Sequence, residues 1–495
     1  MAGEGGPAGA SAIASAALLT RAQRSMALAI VATAMVLDLI DMTIINVAVP
    51  TLQAQLGASD AEVQWMVAGY STIFSLLLIS GGRMGDIFGY RRAFLIGVAG
   101  FTLTSLLCGL AQNPFQLVGA RLLQGAAAAI MLPQVMSLTQ IMYPPHERMA
   151  ALGLFGILGG LAAVLGPVIG GLILNANMFG LGWRPIFLIN LPIGIIALFM
   201  AARILPDGRS THRPRLDMIG TLLVMLMLLT LIFPLIQGRD YGWPLWGFAM
   251  MGYSLPIAYM LARHSRARMA RDGSALIVPD LFHMQGFSFG LLTTLVFQIG
   301  TGGLLFVLTL AMQRGLHFTA AQVGLAHVPY AFGASFAIGM LSRKALPRFG
   351  PIIVTWGAAL MVAGLAMLVG LFHAPGMMAV APWLIAIPLL IMGLGMGLVG
   401  GPLPPCTLSE VDVGHAGSAS GTLKATQQLG SAMGAAGIGT LFFIIAPERS
   451  GDAQDAIHAF TMAAIAVSLA LATVALLALA IPRQLQIRGD RSGKA

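Results

Sequence analysis

Residues 35–50 read MVLDLIDMTIINVAVP, and the two aspartates in this stretch, Asp38 and Asp41, decide how the rest of the chain is read. They lie in an apolar run near 26–48. About 20 apolar residues rising about 1.5 Å each span a hydrocarbon core about 30 Å thick, so this run is long enough to cross a bilayer. A carboxylate near mid-bilayer costs about 2.5–3.5 kcal/mol on insertion scales, so it must face a partner or a cavity, and it is a functional candidate. Spaced i and i+3, both acids share one helix face.

Outward from this stretch the chain stays apolar. Its 495 residues are 57% hydrophobic and only 9% charged, with mean hydropathy +0.86; an ordinary soluble domain has about 25% charged residues. Apolar segments fall near 26–48, 63–80, 94–112, 116–141, 150–174, 185–202, 217–237, 244–262, 287–312, 322–341, 351–372, 383–402, 418–446 and 458–481, which predicts fourteen membrane spans. Residues 1–25 read as a disordered tail; 1–20 lack the basic region of a cleaved signal peptide, so the first span is expected to act as an uncleaved anchor.

If the spans alternate, twenty-one of the 27 lysines and arginines fall on one side and four on the other, with Arg121 and Lys424 within or beside spans. This asymmetry places both termini in the cytoplasm. The longest cytoplasmic connections, 203–216 and 263–286, bracket two central spans. The expected organisation is a six-helix bundle (26–202), two additional spans with basic linkers (203–286), a second six-helix bundle (287–481) and a cytoplasmic tail (482–495). GDIFGYRR after the second span and PRFGPII after the tenth echo one another, as in transporters built from repeats.

Several function classes are excluded. The net charge of +9 is spread over loops between apolar runs rather than gathered on one soluble face, so nucleic acid is not an expected partner. Cys108 and Cys406 have no redox or metal spacing. P-loop spacing is absent, and no catalytic set of histidines, or of serine with a base, shares one depth. No metal or cofactor is expected beyond the proton motive force.

Depth arithmetic selects a counter-charge. Asp41 lies about 22 Å from the inner end of the first span, and Arg121, in the oppositely directed fourth span, lies at about the same height. Arginine keeps its charge while a desolvated aspartate can take up a proton, so Asp41 and Arg121 are the candidate proton-coupling pair, with Gln124 on the same face. Asp38, one turn away, is the candidate for touching a cationic substrate, and Asp38 and Gln124 are the candidate substrate-cavity residues. Lys424, Glu410, Asp412 and His415 read as a solvated cluster at the cytoplasmic end of the thirteenth span, and His317 and His327 as interfacial residues at the outer mouth of the tenth.

Two glycine motifs stand out. GGRMGDIFGYRR, after the second span, makes a tight turn in which Gly82 and Gly89 allow close helix approach, Asp86 can oppose a helix N-terminus, and Arg91 and Arg92 anchor the inner face. In the fifth span, Gly166-Pro167 and Gly170-Gly171 would bend the helix and seat it against a neighbour.

Together with Asp41-x-Thr43-Ile44-x-Asn46, Arg121-x-x-Gln124-Gly125 and Trp183-Arg184-x-x-Phe187-x-Ile189-Asn190, these motifs resemble the major facilitator superfamily, specifically its fourteen-span drug:proton antiporters. The resemblance implies an all-α membrane protein of two six-helix bundles rocking about a central cavity, plus two peripheral spans. It also implies that Gly166, Pro167, Gly170 and Gly171 go with export, that the 82–92 loop gates the switch, and that Asp41 and Arg121 couple protons. Ile87 departs from the pattern, which has a basic residue after the loop aspartate.

The expected function is export of lipophilic, cationic or neutral small molecules in exchange for protons across a bacterial cytoplasmic membrane, by a monomer, with an outer adaptor left open. The alternatives are an exporter of one endogenous metabolite or antibiotic, and a nutrient importer.

Overall fold

The computed structural model describes residues 20–143, 145–176, 180–208, 217–238, 241–272, 278–374, 382–411, 416–447 and 452–481, and within them the regular structure is entirely helical. The long helices are α1 (Arg21–Leu56), α2 (Asp60–Phe88), α3 (Tyr90–Leu110), α4 (Pro114–Met142), α5 (Pro145–Ala176), α6 (Asn190–Ile204), α7 (Met218–Gln237), α8 (Leu245–Asp272), α9 (Gln285–Gly302, continued to Gly315), α10 (Ala320–Phe336, continued to Ser342), α11 (Ile352–Phe372), α12 (Ala386–Gly400), α13 (Ala416–Ile445) and α14 (Ala453–Leu479). Among the described residues twelve helices are long and apolar enough to cross a membrane, thirteen when the bent α2 is counted as one; the predicted segment 150–174 falls on α5.

Local sequence sets the helix starts. Thr20 with Gln23, Ser59 with Glu62 and Thr319 with Gln322 form reciprocal capping boxes, satisfying amides that the first helical turn leaves unpaired. Asn113 caps α4 ahead of Pro114 at its first position.

Two expectations change here. Residues 21–25, read with the tail, are the first turns of α1 behind the Thr20 cap; the remainder of that tail, to residue 19, and the tail 482–495 lie outside the described residues. The basic run from Arg263 to Arg271, read as connection, continues α8 to Asp272, where cations at a C-terminus oppose the negative end of the helix dipole.

Contacts divide the chain into two compact units, Met1–Pro234 with Trp243–Leu276, and Leu235–Gly242 with Ile277–Ala495. Within the first, the added helix pair docks on α2 through Ser80 Oγ, 2.9 Å from Thr221 Oγ1, and through the Trp65 and Phe233 rings. The pair is closed on itself by His264 Nε2, 2.8 Å from Asp217 Oδ1.

The weak sequence echo becomes an internal repeat in three dimensions. Ser59, Glu62 and Tyr70 on α2 occupy the places that Thr319, Gln322 and Tyr330 occupy on α10, each pair 260 positions apart. A π-helical turn at Ala337–Ser342 then inserts one residue, and Phe88-Gly89 answers Phe349-Gly350. Packing repeats as well. A Cβ on Gly125 of α4 would stand 2.5 Å from the Tyr70 carbonyl oxygen, and one on Gly393 of α12 would strike the Tyr330 carbonyl.

Such approaches exist only because glycine has no side chain. Gly125→Ala and Gly393→Ala should each destabilise the protein by about 1–3 kcal/mol through overpacking, read as a lowered thermal midpoint in detergent. Gly119→Ala and Gly437→Ala, whose added carbons meet nothing within 4 Å, should leave the midpoint unchanged.

Candidate functional site

The structure brings Asp41, Arg121 and Gln124 together in the interior of the first unit. Asp41 and Arg121 are 0% and 1% exposed. The Arg121 guanidinium forms an ion pair with Asp41 through Nη1, while the same nitrogen donates to Gln124 Oε1 at 2.8 Å and Nε donates to the Met66 carbonyl at 3.1 Å. Gln124 Nε2 donates to Asp41 Oδ1 at 2.9 Å, and so does Asn190 Nδ2 at 3.0 Å. Ser105 Oγ accepts from both amides, and Cys108 donates to Gln124 Oε1. Every partner on the Asp41 carboxylate is an N–H, an arrangement suited to an anion.

Five helices meet here. α1 supplies the carboxylate, α4 the arginine and glutamine, α3 Ser105 and Cys108, and the start of α6 Asn190, while α2 lends the Met66 carbonyl. Glycine lets α4 approach closely enough for this. Gly125, beside Gln124, lies against the α2 backbone at Tyr70.

Asp38 is 2% exposed and accepts a hydrogen bond from the Tyr70 hydroxyl. The Arg121 guanidinium lies over the Tyr70 ring, 4.4 Å from its centroid, a favourable cation–π placement. Tyr70 therefore joins the two acids, holding one by its hydroxyl and the other's counter-charge on its face.

Sequence reasoning did not single out Tyr70, Ser105 or the contact role of Asn190. Asn190 stood within a quoted motif, which was the available signal, whereas Tyr70 reads as one more aromatic in an apolar helix.

The glycine-proline motif of α5 packs on an adjoining flank of α1. A Cβ on Gly166 would strike Thr43 Oγ1, and one on Gly170 would stand 2.7 Å from Ile44 Cγ1; Pro167 and Gly171 are buried beside them. α5 thus seats directly on residues 43–44, adjoining Asp41, so a shift of either helix moves the carboxylate.

The loop motif is not part of this cluster. Asp86 accepts from the Tyr90 hydroxyl at 2.9 Å, not from the α3 amides, and the N-cap Gly89 makes no side-chain cap. Gly89 has φ 98°, a conformation glycine adopts without strain, while Gly82 has only Pro133 nearby. Arg91 binds the Ala202 carbonyl and lies 3.1 Å from Asp207, tying α3 to the end of α6; Arg92 is exposed.

Two other groups differ from expectation. His327 is not interfacial: it is buried on α10, about 10 Å from that helix's start, whereas His317 is exposed with φ 55°. Glu410 is not simply solvated. Its carboxylate accepts from the Gly286 amide at 2.9 Å, which caps the first turn of α9. Lys424 is exposed; Asp412 and His415 lie outside the described residues.

Known proteins agree with this architecture. The family model described as Major Facilitator Superfamily matches residues 31–435. The chain is 40% identical to a probable actinorhodin transporter of Streptomyces coelicolor over 85% of its own length and 73% of the relative's. It is 34% identical to a cephamycin export protein of Amycolatopsis lactamdurans over 92% of each, and 30% identical to a tetracenomycin C resistance and export protein of Streptomyces glaucescens over 83% and 74%. Among solved structures, a bacterial homolog of the human lysosomal transporter Spinster aligns with TM-score 0.64 over 94% of this chain and 98% of that one, at 16% identity. With its matched region, its relatives among antibiotic exporters and its helical fold, the chain belongs to the Major Facilitator Superfamily, a family of transporters rather than enzymes.

Proposed function

We propose that this protein is a proton-coupled antiporter that exports lipophilic, antibiotic-like small molecules, cationic or neutral, by alternating access across a bacterial cytoplasmic membrane. On this reading all fourteen long helices cross the bilayer, with both termini in the cytoplasm. The observation that carries it is the Asp41 carboxylate, sealed inside the first unit against Arg121, Gln124 and Asn190. The names of the export and resistance relatives support the direction of transport.

The chemistry follows from what holds the helices. As an anion, Asp41 draws donors from α4 and α6 onto α1. A proton on Asp41 cancels its attraction for Arg121 and turns one oxygen into a donor that faces other donors, so this packing is weakened. Two protonation states then favour two packings, and a substrate that binds one packing better is linked reciprocally to the proton. Asp38 is the proposed contact for a cationic substrate, reached by displacing the Tyr70 hydroxyl. The loop motif acts at a distance, through the Arg91 tie between α3 and α6.

In a pump-deficient host, ethidium efflux should be abolished by a protonophore and should fall at least about tenfold in Asp41→Asn. Efflux that persists in that variant rules Asp41 out as the proton carrier. Asp38→Asn should reduce ethidium efflux more than efflux of a neutral dye; equal losses would remove Asp38 from substrate contact.

The ion pair also sets stability. Arg121→Gln leaves a buried carboxylate without its counter-charge and should cost about 3–5 kcal/mol. Asp41→Asn with Arg121→Gln should be more stable than the sum of the single changes indicates, read from thermal midpoints in detergent.

A further inference from the structure

The second unit holds a polar pair that the proposed proton chemistry does not use. His327 and Tyr330 lie one turn apart on the same face of α10, 3% and 7% exposed. His327 Nδ1 lies 2.8 Å from the Val323 carbonyl; a carbonyl can only accept, so Nδ1 carries the proton and Nε2 presents a lone pair. Among the described residues neither Nε2 nor the Tyr330 hydroxyl has a hydrogen-bond partner, and neither is sealed from solvent as an orphaned buried atom is.

The internal repeat shows what has been exchanged. In the first unit the tyrosine at this place, Tyr70, gives its hydroxyl to Asp38. On α10 the same 260-position register puts His327 where the first unit has Val67. Beside this tyrosine the second unit has gained a neutral acceptor.

The surroundings are uncharged. α12, which packs along α10, has no titratable side chain between Ala386 and Gly400, nor does the turn Pro382–Ile385. On the segment Ala311–Gly315, which also touches α10, Arg314 faces away, with its guanidinium over the Phe443 ring and toward the Ala446 carbonyl.

We infer that His327 and Tyr330 form a substrate-contact site for a hydroxyl group on an otherwise apolar molecule. The ligand hydroxyl donates to His327 Nε2 and accepts from the Tyr330 hydroxyl. Once an apolar ligand covers Nε2, an acceptor left without a donor is costly, so the site selects for the ligand that supplies that donor. This inference rests on the export reading for its meaning, but its test needs no proton gradient.

The full chain in lipid nanodiscs is titrated at pH 6 with 1-hydroxypyrene and with 1-methoxypyrene, followed by fluorescence against empty nanodiscs. Wild type should bind the hydroxyl compound about tenfold more tightly. His327→Asn, which keeps the Nδ1-side donor and lacks the outer acceptor, should remove that preference and leave 1-methoxypyrene binding within about twofold. His327→Gln, which returns an acceptor near the Nε2 position, should retain it. Tyr330→Phe should weaken both compounds.

Equal affinity of wild type for the two compounds overturns the inference, as does an unchanged preference in His327→Asn. Should either variant fail to elute as a folded monomer, the other still reads the site. Asp41→Asn should keep the hydroxyl preference; a protonophore-insensitive wild type would remove the proton reading while leaving this site standing.

Discussion

A single carboxylate that cannot remain alone organises the first half of this protein. Moving an ion out of water costs several kcal/mol even after relaxation, and attraction to one counter-charge offsets this only when further hydrogen bonds complete the set. Asp41 therefore needs Arg121, and Arg121, being buried too, needs Met66, Gln124 and the face of Tyr70. Each requirement recruits another helix. On the proposed reading, a network that is satisfied only as a whole is also one that a single added proton can reset.

Small residues make that network reachable. Gly125 lets α4 lie on the α2 backbone, and Gly166 and Gly170 let α5 lie on α1 beside Asp41. The polar cluster and the glycine seams are thus two faces of one arrangement on α1. The repeat in the second unit keeps the seams and drops the charges. Its α12 counterparts of Arg121 and Gln124, each 268 positions on as Gly393 is from Gly125, are Leu389 and Met392, both fully buried. On this pattern the second unit keeps the seams with apolar side chains at those positions, and its neutral polar pair, His327 and Tyr330, stands on α10 instead.

Much of this could be read from residue order. The spans were legible because a bilayer demands long apolar runs, and the height of Asp41 and Arg121 because a helix converts residue number into distance. What stayed hidden depends on azimuth and breaks. Asn190 follows the short turn Pro185–Leu188, so no periodicity carried its direction across. The end of α8 was missed because a basic run was equated with a connection, although arginine is a good helix former. His327 looked interfacial because sequence shows where a helix begins, not how closely α12 approaches it.

Charge arithmetic links the two aspartates more tightly than either alone. Ionised, Asp38 and Asp41 share one arginine, leaving the cluster one negative charge in surplus. Either a proton or a monovalent cation brings it to neutrality, and in a low-dielectric interior a second positive charge would meet a field already cancelled. On the proposed reading, antiport follows from that surplus: protonated Asp41 leaves Arg121 free to satisfy Asp38 through the shared Tyr70, and a cation held there loses its place. Exchange then requires no long relay, since the competing charges lie one helical turn apart on α1.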